Sequence, residues 1–102
     1  MYRYTTPTLP VTISGIDFND VDKFRISIEQ NNVELLKIVA ANDPAVDAQH
    51  KTIYVPLTQE ETSGFGAGTV AVQARVVFTN GSILATEKAT LSVKDVLDEV
   101  II

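Results

Sequence analysis

Val70-Ala-Val-Gln-Ala-Arg-Val-Val-Phe78, then Thr79-Asn80-Gly81-Ser82, then Ile83-Leu-Ala-Thr-Glu-Lys-Ala-Thr-Leu-Ser-Val93 form two alternating runs around an Asn-Gly pair. Asn-Gly in that setting predicts a two-residue hairpin, because both central residues of a type I′ turn need positive φ. Such a turn sets the register: Thr79 opposite Ser82, Phe78 opposite Ile83, Val76 opposite Ala85, Ala74 opposite Glu87, Val72 opposite Ala89 and Val70 opposite Leu91. The expected inner face is Val70, Val72, Ala74, Val76 and Phe78 beside Ile83, Ala85, Ala89 and Leu91. Gln73, Arg75, Thr86, Lys88 and Thr90 take the wet side. Glu87 falls on the inner face, which calls for a bulge near Thr86 to Lys88 or an edge position open to water.

Other runs would pair with this hairpin. Leu9, Val11 and Ile13 alternate with Pro10, Thr12 and Ser14, and Pro10 has no ladder donor, so this strand belongs at a sheet edge. Phe24, Ile26 and Ile28 alternate with charged and polar neighbours as a half-buried strand. Gln30-Asn31-Asn32 turns the chain into residues 33 to 40, a hairpin partner or, from its less regular pattern, a helix. Asn42-Asp43-Pro44 opens a loop over residues 41 to 51. Ile53, Val55 and Leu57 then share one strand face, with Pro56 again at an edge. Thr58-Gln-Glu-Glu61 has the spacing of a capping box and predicts one helical turn. Phe65 is expected to plug that turn onto the core while Gly64, Gly66 and Gly68 let the chain reverse. Residues 1 to 8 are an extended lead-in, in which Tyr2 and Tyr4 flank Arg3. They suit an edge strand or an arm on a neighbour equally with a frayed end. In residues 94 to 102, a short helix or a last strand, the apolar end Val100-Ile101-Ile102 needs cover from this subunit or another.

The chain has 102 residues, suited to one domain with one core, and no cysteine, which removes disulfides and thiol chemistry. Thirteen acidic against eight basic residues give a net charge of −5, so a nucleic-acid partner is excluded. No apolar run reaches membrane-span length and no signal-peptide core opens the chain, so synthesis and residence in a cytoplasm are expected. The glycosylation pattern Asn80-Gly81-Ser82 is explained by the turn.

Chemistry is sparse in the sequence. His50, the only histidine, lies in a polar loop with no serine or cysteine nucleophile beside it and is read as a surface residue. Gly64-Phe-Gly-Ala-Gly68 has the glycines of a phosphate loop without its Lys-Ser/Thr ending, and it precedes a strand where such loops precede a helix. Asp17, Asn19, Asp20 and Asp22 crowd one turn, but Asp22 and Ile28 occupy the positions of a calcium loop's glycine and closing glutamate. Glu60 and Glu61 are adjacent, diverge on a helix and make a poor acid–base pair. Gln73, Arg75, Thr86 and Lys88 form the wet side expected of any antiparallel sheet. The reading from residues alone is non-catalytic, with no cofactor or metal.

The opening Tyr2-Arg3 with Thr6-Pro7-Thr8, the block Leu57-Thr-Gln-Glu-Glu-Thr62 followed by Phe65, the strand carrying Val70, Val72, Gln73 and Arg75, the Gly81 turn and the ending Lys94-Asp-Val-Leu-Asp-Glu99 together resemble small proteins encoded in phages and prophages of Gram-positive bacteria. The likeness runs in order over nearly the whole chain. It implies a β-sandwich similar to the Ig-like N-terminal module of phage baseplate or receptor-binding proteins, a virion or tail-associated structural role, and no catalytic residues. The count of alternating runs gives the expected fold, all-β, an Ig-like antiparallel sandwich of six or seven short strands with one helical turn at Thr58 to Thr62. The expected function is a structural or adhesion module acting by protein–protein contact with itself or other phage structural proteins, in the host cytoplasm during synthesis and then in the virion. A small-ligand or carbohydrate-binding module is the alternative. The interface candidates are Tyr2, Tyr4, Val100, Ile101 and Ile102.

Overall fold

The computed structural model describes residues 1–99 and 101–102. Two antiparallel sheets face each other around one core. The smaller has the order β1 (Thr8–Thr12), β5 (Thr52–Pro56) and β4 (Val46–Asp47). The larger runs from β3 (Val33–Ala40) through β2 (Val21–Gln30) to β6 (Gly68–Phe78), beyond which β7 (Ile83–Ala85) and β8 (Ala89–Val93) both pair with β6. This is the all-β sandwich expected from the alternating runs, and residues 33 to 40 are strand. Eight strands are described where six or seven are expected. The two-residue β4 lies inside the predicted loop, and a bulge divides the last strand into β7 and β8.

Pro10 sits at a sheet edge, as the sequence predicts, whereas Pro56 lies on β5, the middle strand of the smaller sheet, and needs no ladder donor only because β4 ends before it. Leu57 N–H donates to the Pro7 carbonyl (2.9 Å) and Ile13 N–H to that of Lys51 (2.9 Å), so alternation turns the odd-numbered residues of β1 toward β5 and Pro10 toward the free edge. Tyr54 N–H donates to Ala45 (2.8 Å), which turns Pro56 toward the β4 side, past the end of that short strand.

Phe24, Ile26 and Ile28 of β2, Ile53 and Val55 of β5, and Val70, Ala74 and Val76 of β6 fill the space between the sheets. Each large aliphatic side chain so buried contributes about 1.5–3 kcal/mol. Phe65 is buried among them, as expected. It follows α1 (Gln59–Ser63), where Glu61 N–H donates to the Thr58 hydroxyl (3.1 Å) and Thr58 N–H to the Glu61 carboxylate (2.8 Å), the predicted capping box.

The central hairpin differs from its predicted register by one residue near the turn. Val77 pairs with Ile83, Val76 with Leu84 and Arg75 with Ala85, while Phe78 N–H donates to the Ser82 carbonyl (2.9 Å). The loop thus holds three residues, because only Gly81 has positive φ (89°) and Asn80 does not, so a type I′ turn is not formed. Asn80 instead accepts from Ser82 N–H with its side chain (2.9 Å). Farther on, Val72 pairs with Ala89 and Val70 with Leu91, as predicted. The slip is recovered where Gln73 and Ala74 face Thr86, Glu87 and Lys88, the bulge that Glu87 required, and Glu87 is exposed. Thr86 secures it: its N–H donates to the Ala74 carbonyl (2.8 Å) and its hydroxyl accepts from Ala74 N–H (3.0 Å).

The slip reverses part of the predicted inner face. Ile83 and Ala85 point outward and are exposed, Ala89 is exposed, and Leu91 is half-buried. Leu84 takes the inward direction beside Val76, yet it too is exposed because the smaller sheet does not reach over it.

Candidate functional site

The two ends of the chain, both predicted as contact segments, are joined to each other. Tyr2 forms a parallel bridge with Lys94. Lys94 N–H donates to the Met1 carbonyl (2.8 Å), Arg3 N–H to the Lys94 carbonyl (2.9 Å), and the terminal amine to the Ser92 carbonyl (2.8 Å). The Arg3 guanidinium meets the Asp95 carboxylate at 2.9 Å and Glu99 at 3.6 Å, and it reaches the Ser63 carbonyl at the end of α1 (3.1 Å). The hydrogen bond to Asp95 holds the guanidinium above its ordinary pKa.

The lead-in is therefore held on its own domain. Thr62, fully buried, donates its hydroxyl to the Thr5 carbonyl (2.9 Å) and accepts from Thr5 N–H (3.1 Å). Tyr4 has φ 58°, which breaks the alternation of a Tyr-Arg-Tyr strand and leaves Tyr4 half-buried beside Arg3 while Tyr2 stays exposed. The other end runs past Leu97, which is fully exposed, to Ile102, whose backbone exchanges hydrogen bonds with the Gln59 side chain (2.9 and 2.6 Å). Residues 95 to 99 are neither helix nor strand. Tyr2, Leu97, Ile101 and Ile102 thus present apolar surface from one terminal assembly, and Val100 lies outside the described residues. The arm's anchor, Thr62, has no sequence signal beyond its place in the helical turn.

A groove lies where the sheets part. β1 on one side, with Leu9, Val11 and Ile13, and β6 to β8 on the other, with Val72, Leu84 and Leu91, enclose about 720 Å³. Both flanking edges are blunted for strand addition, one by Pro10 and the other by the bulge at Thr86.

The remaining candidates have structural work. His50 Nδ1 lies 2.6 Å from the Asp47 carboxylate, which also accepts from His50 N–H (3.2 Å); the hydrogen bond from the histidine side chain holds Asp47 below the usual carboxylate range. The Thr52 hydroxyl donates to the His50 carbonyl (2.9 Å). Gly66 N–H donates to the Gln30 side chain (2.7 Å), whose amide returns a bond to the Gly66 carbonyl (2.8 Å), so the glycine segment is clamped to the end of β2. Asp17 caps a 3-10 turn by accepting from Asn19 N–H (2.9 Å). Glu61 accepts from Lys37 of β3 at 2.9 and 2.7 Å. Among the described residues no group of three His, Asp or Glu is placed to hold a metal, and no helix is long and apolar enough to cross a membrane. Comparison with protein-family models, with curated proteins and with solved structures finds no match to this chain.

Proposed function

We propose that the chain is a non-catalytic structural or adhesion module of a phage particle, working through protein–protein contact at the terminal assembly. The phage context comes from the sequence resemblance alone. The contact mode is supported by one observation: Tyr2, Leu97, Ile101 and Ile102 expose apolar side chains on segments that hydrogen bonds and the Arg3 ion pairs hold against the domain. An apolar surface presented on a tethered segment costs little conformational entropy to dock. The test is particle proteomics. In virions purified from a strain carrying the gene, the chain should sediment at a fixed copy number, and Leu97→Asp with Ile101→Asp should lower that number several-fold at unchanged cellular level. A chain found wholly in the supernatant overturns the reading.

A second reading, a small-ligand or carbohydrate-binding module, is favoured by the groove between β1 and β7, whose volume of about 720 Å³ is within the range of ligand sites. A glycan-array hit abolished by Leu84→Trp, which would fill the groove, supports it. Binding that survives the substitution removes it.

A further inference from the structure

The outer face of the larger sheet carries two cross-strand pairs of like charge and opposite sign. Arg25 of β2 stands directly opposite Arg75 of β6, with Lys23 two residues away on the same face. Glu29 of β2 stands directly opposite Glu34 of β3. Like charges in register destabilise an isolated sheet. Among the described residues none of these five side chains takes part in an ion pair, and Arg25 Nε is shut off from water without a hydrogen-bond partner. The cationic and acidic ends are four residues apart on β2, about 13 Å. Leu36, Ile38 and Ile83 lie on the same face, 38%, 56% and 59% exposed.

We propose that this face is a self-complementary interface on which a second copy of the chain docks, sheet against sheet, with its strands antiparallel to the first. The charges select the occupant and its orientation. A two-fold axis in the plane of the interface, perpendicular to the strands, passes through the row Leu36, Ser27 and Gln73, which are register partners. Rotation about it sets Arg25 over the second copy's Glu29 and the long Arg75 over the second copy's small Ala71, within reach of that same carboxylate. Leu36 meets its own counterpart on the axis. Each copy's Arg25 is thereby covered by the other's Glu29, while Glu34 comes over the other copy's Ile38, one strand aside from that copy's Arg25. An axis along the strands would stack arginine on arginine, so the contact is isologous and closes at two copies. Four strands about 4.8 Å apart, each contributing about eight residues of 3.3 Å, span roughly 500 Å². Two such faces bury about 1,000 Å², the lower bound of a specific association, so the dimer is expected to be reversible in the micromolar range or weaker.

This surface is distinct from the terminal assembly, so either can fail alone. The test is light scattering or sedimentation of the purified full chain up to sub-millimolar concentration. The wild type should shift from monomer toward dimer, and raised salt should weaken the shift. Arg25→Glu with Arg75→Glu, and separately Glu29→Lys with Glu34→Lys, should each weaken dimerisation about tenfold or more. Mixing the two variants should restore a one-to-one dimer, a result that misfolding cannot produce. Leu36→Asp added to both should abolish it again, and Leu97→Asp should leave the wild-type dimer unchanged. A wild type monomeric throughout, a mixture that stays monomeric, or loss of the dimer on Leu97→Asp overturns the proposal.

Discussion

The Glu61 carboxylate lies 2.7 Å from the Lys37 ammonium while also receiving Thr58 N–H, so one side chain both caps the helical turn and ties it to the edge strand β3. Burial works against ionisation of Glu61, but the Lys37 and Thr58 contacts outweigh it and the carboxyl titrates below its ordinary 4.5. A lowered folded-state pKa stabilises the fold above the unfolded value, and that contribution disappears as pH falls through the folded one. Lys37→Met should cost about 1 kcal/mol in urea unfolding at neutral pH. The difference from wild type should shrink as pH falls below 4.5; a difference constant down to strong acid would show that the pair is not its source.

Thr86 replaces a missing backbone acceptor in the bulge, so Thr86→Val should leave Ala74 N–H without its partner while keeping shape. The expected cost is about 1–3 kcal/mol. Hydrogen exchange should accelerate at Ala74 more than at Val76, which pairs beyond the bulge; equal protection would mean that another group takes over the amide.

Gly81 sits at φ 89° with nothing within 4 Å of the place a Cβ would occupy, so a substitution there meets only backbone strain. Gly81→Ala should cost about 1–2 kcal/mol, read as a lowered denaturation midpoint at unchanged slope. A neutral result would show that the loop readily adopts another turn.

Gln30 holds Gly66 through both ends of its amide, mimicking a ladder pair. Gln30→Ala should release the segment between α1 and β6. Limited proteolysis should then cut near residues 64 to 68 several-fold faster, with the core unfolding transition little altered. Unchanged cleavage would show that Phe65 alone anchors the segment.

Signals that act over a few residues were readable in the chain itself. Alternation marked the main strands, Thr58 with Glu61 marked the helical turn, Pro10 marked a free edge, and the awkward Glu87 located the bulge. Each depends on a contact between near neighbours or on a group the residue lacks. The tertiary structure decided what depends on strands meeting from afar. Whether the Asn-Gly loop holds two residues or three turned on the φ of Asn80, and with it whether Ile83 faces in or out. The closing of Arg3 onto Asp95, the reach of Lys37 to Glu61, and the standing of Arg25 against Arg75 required the order of strands in the sheet. No local pattern encodes that order, because it is set by which apolar faces the core can bury together.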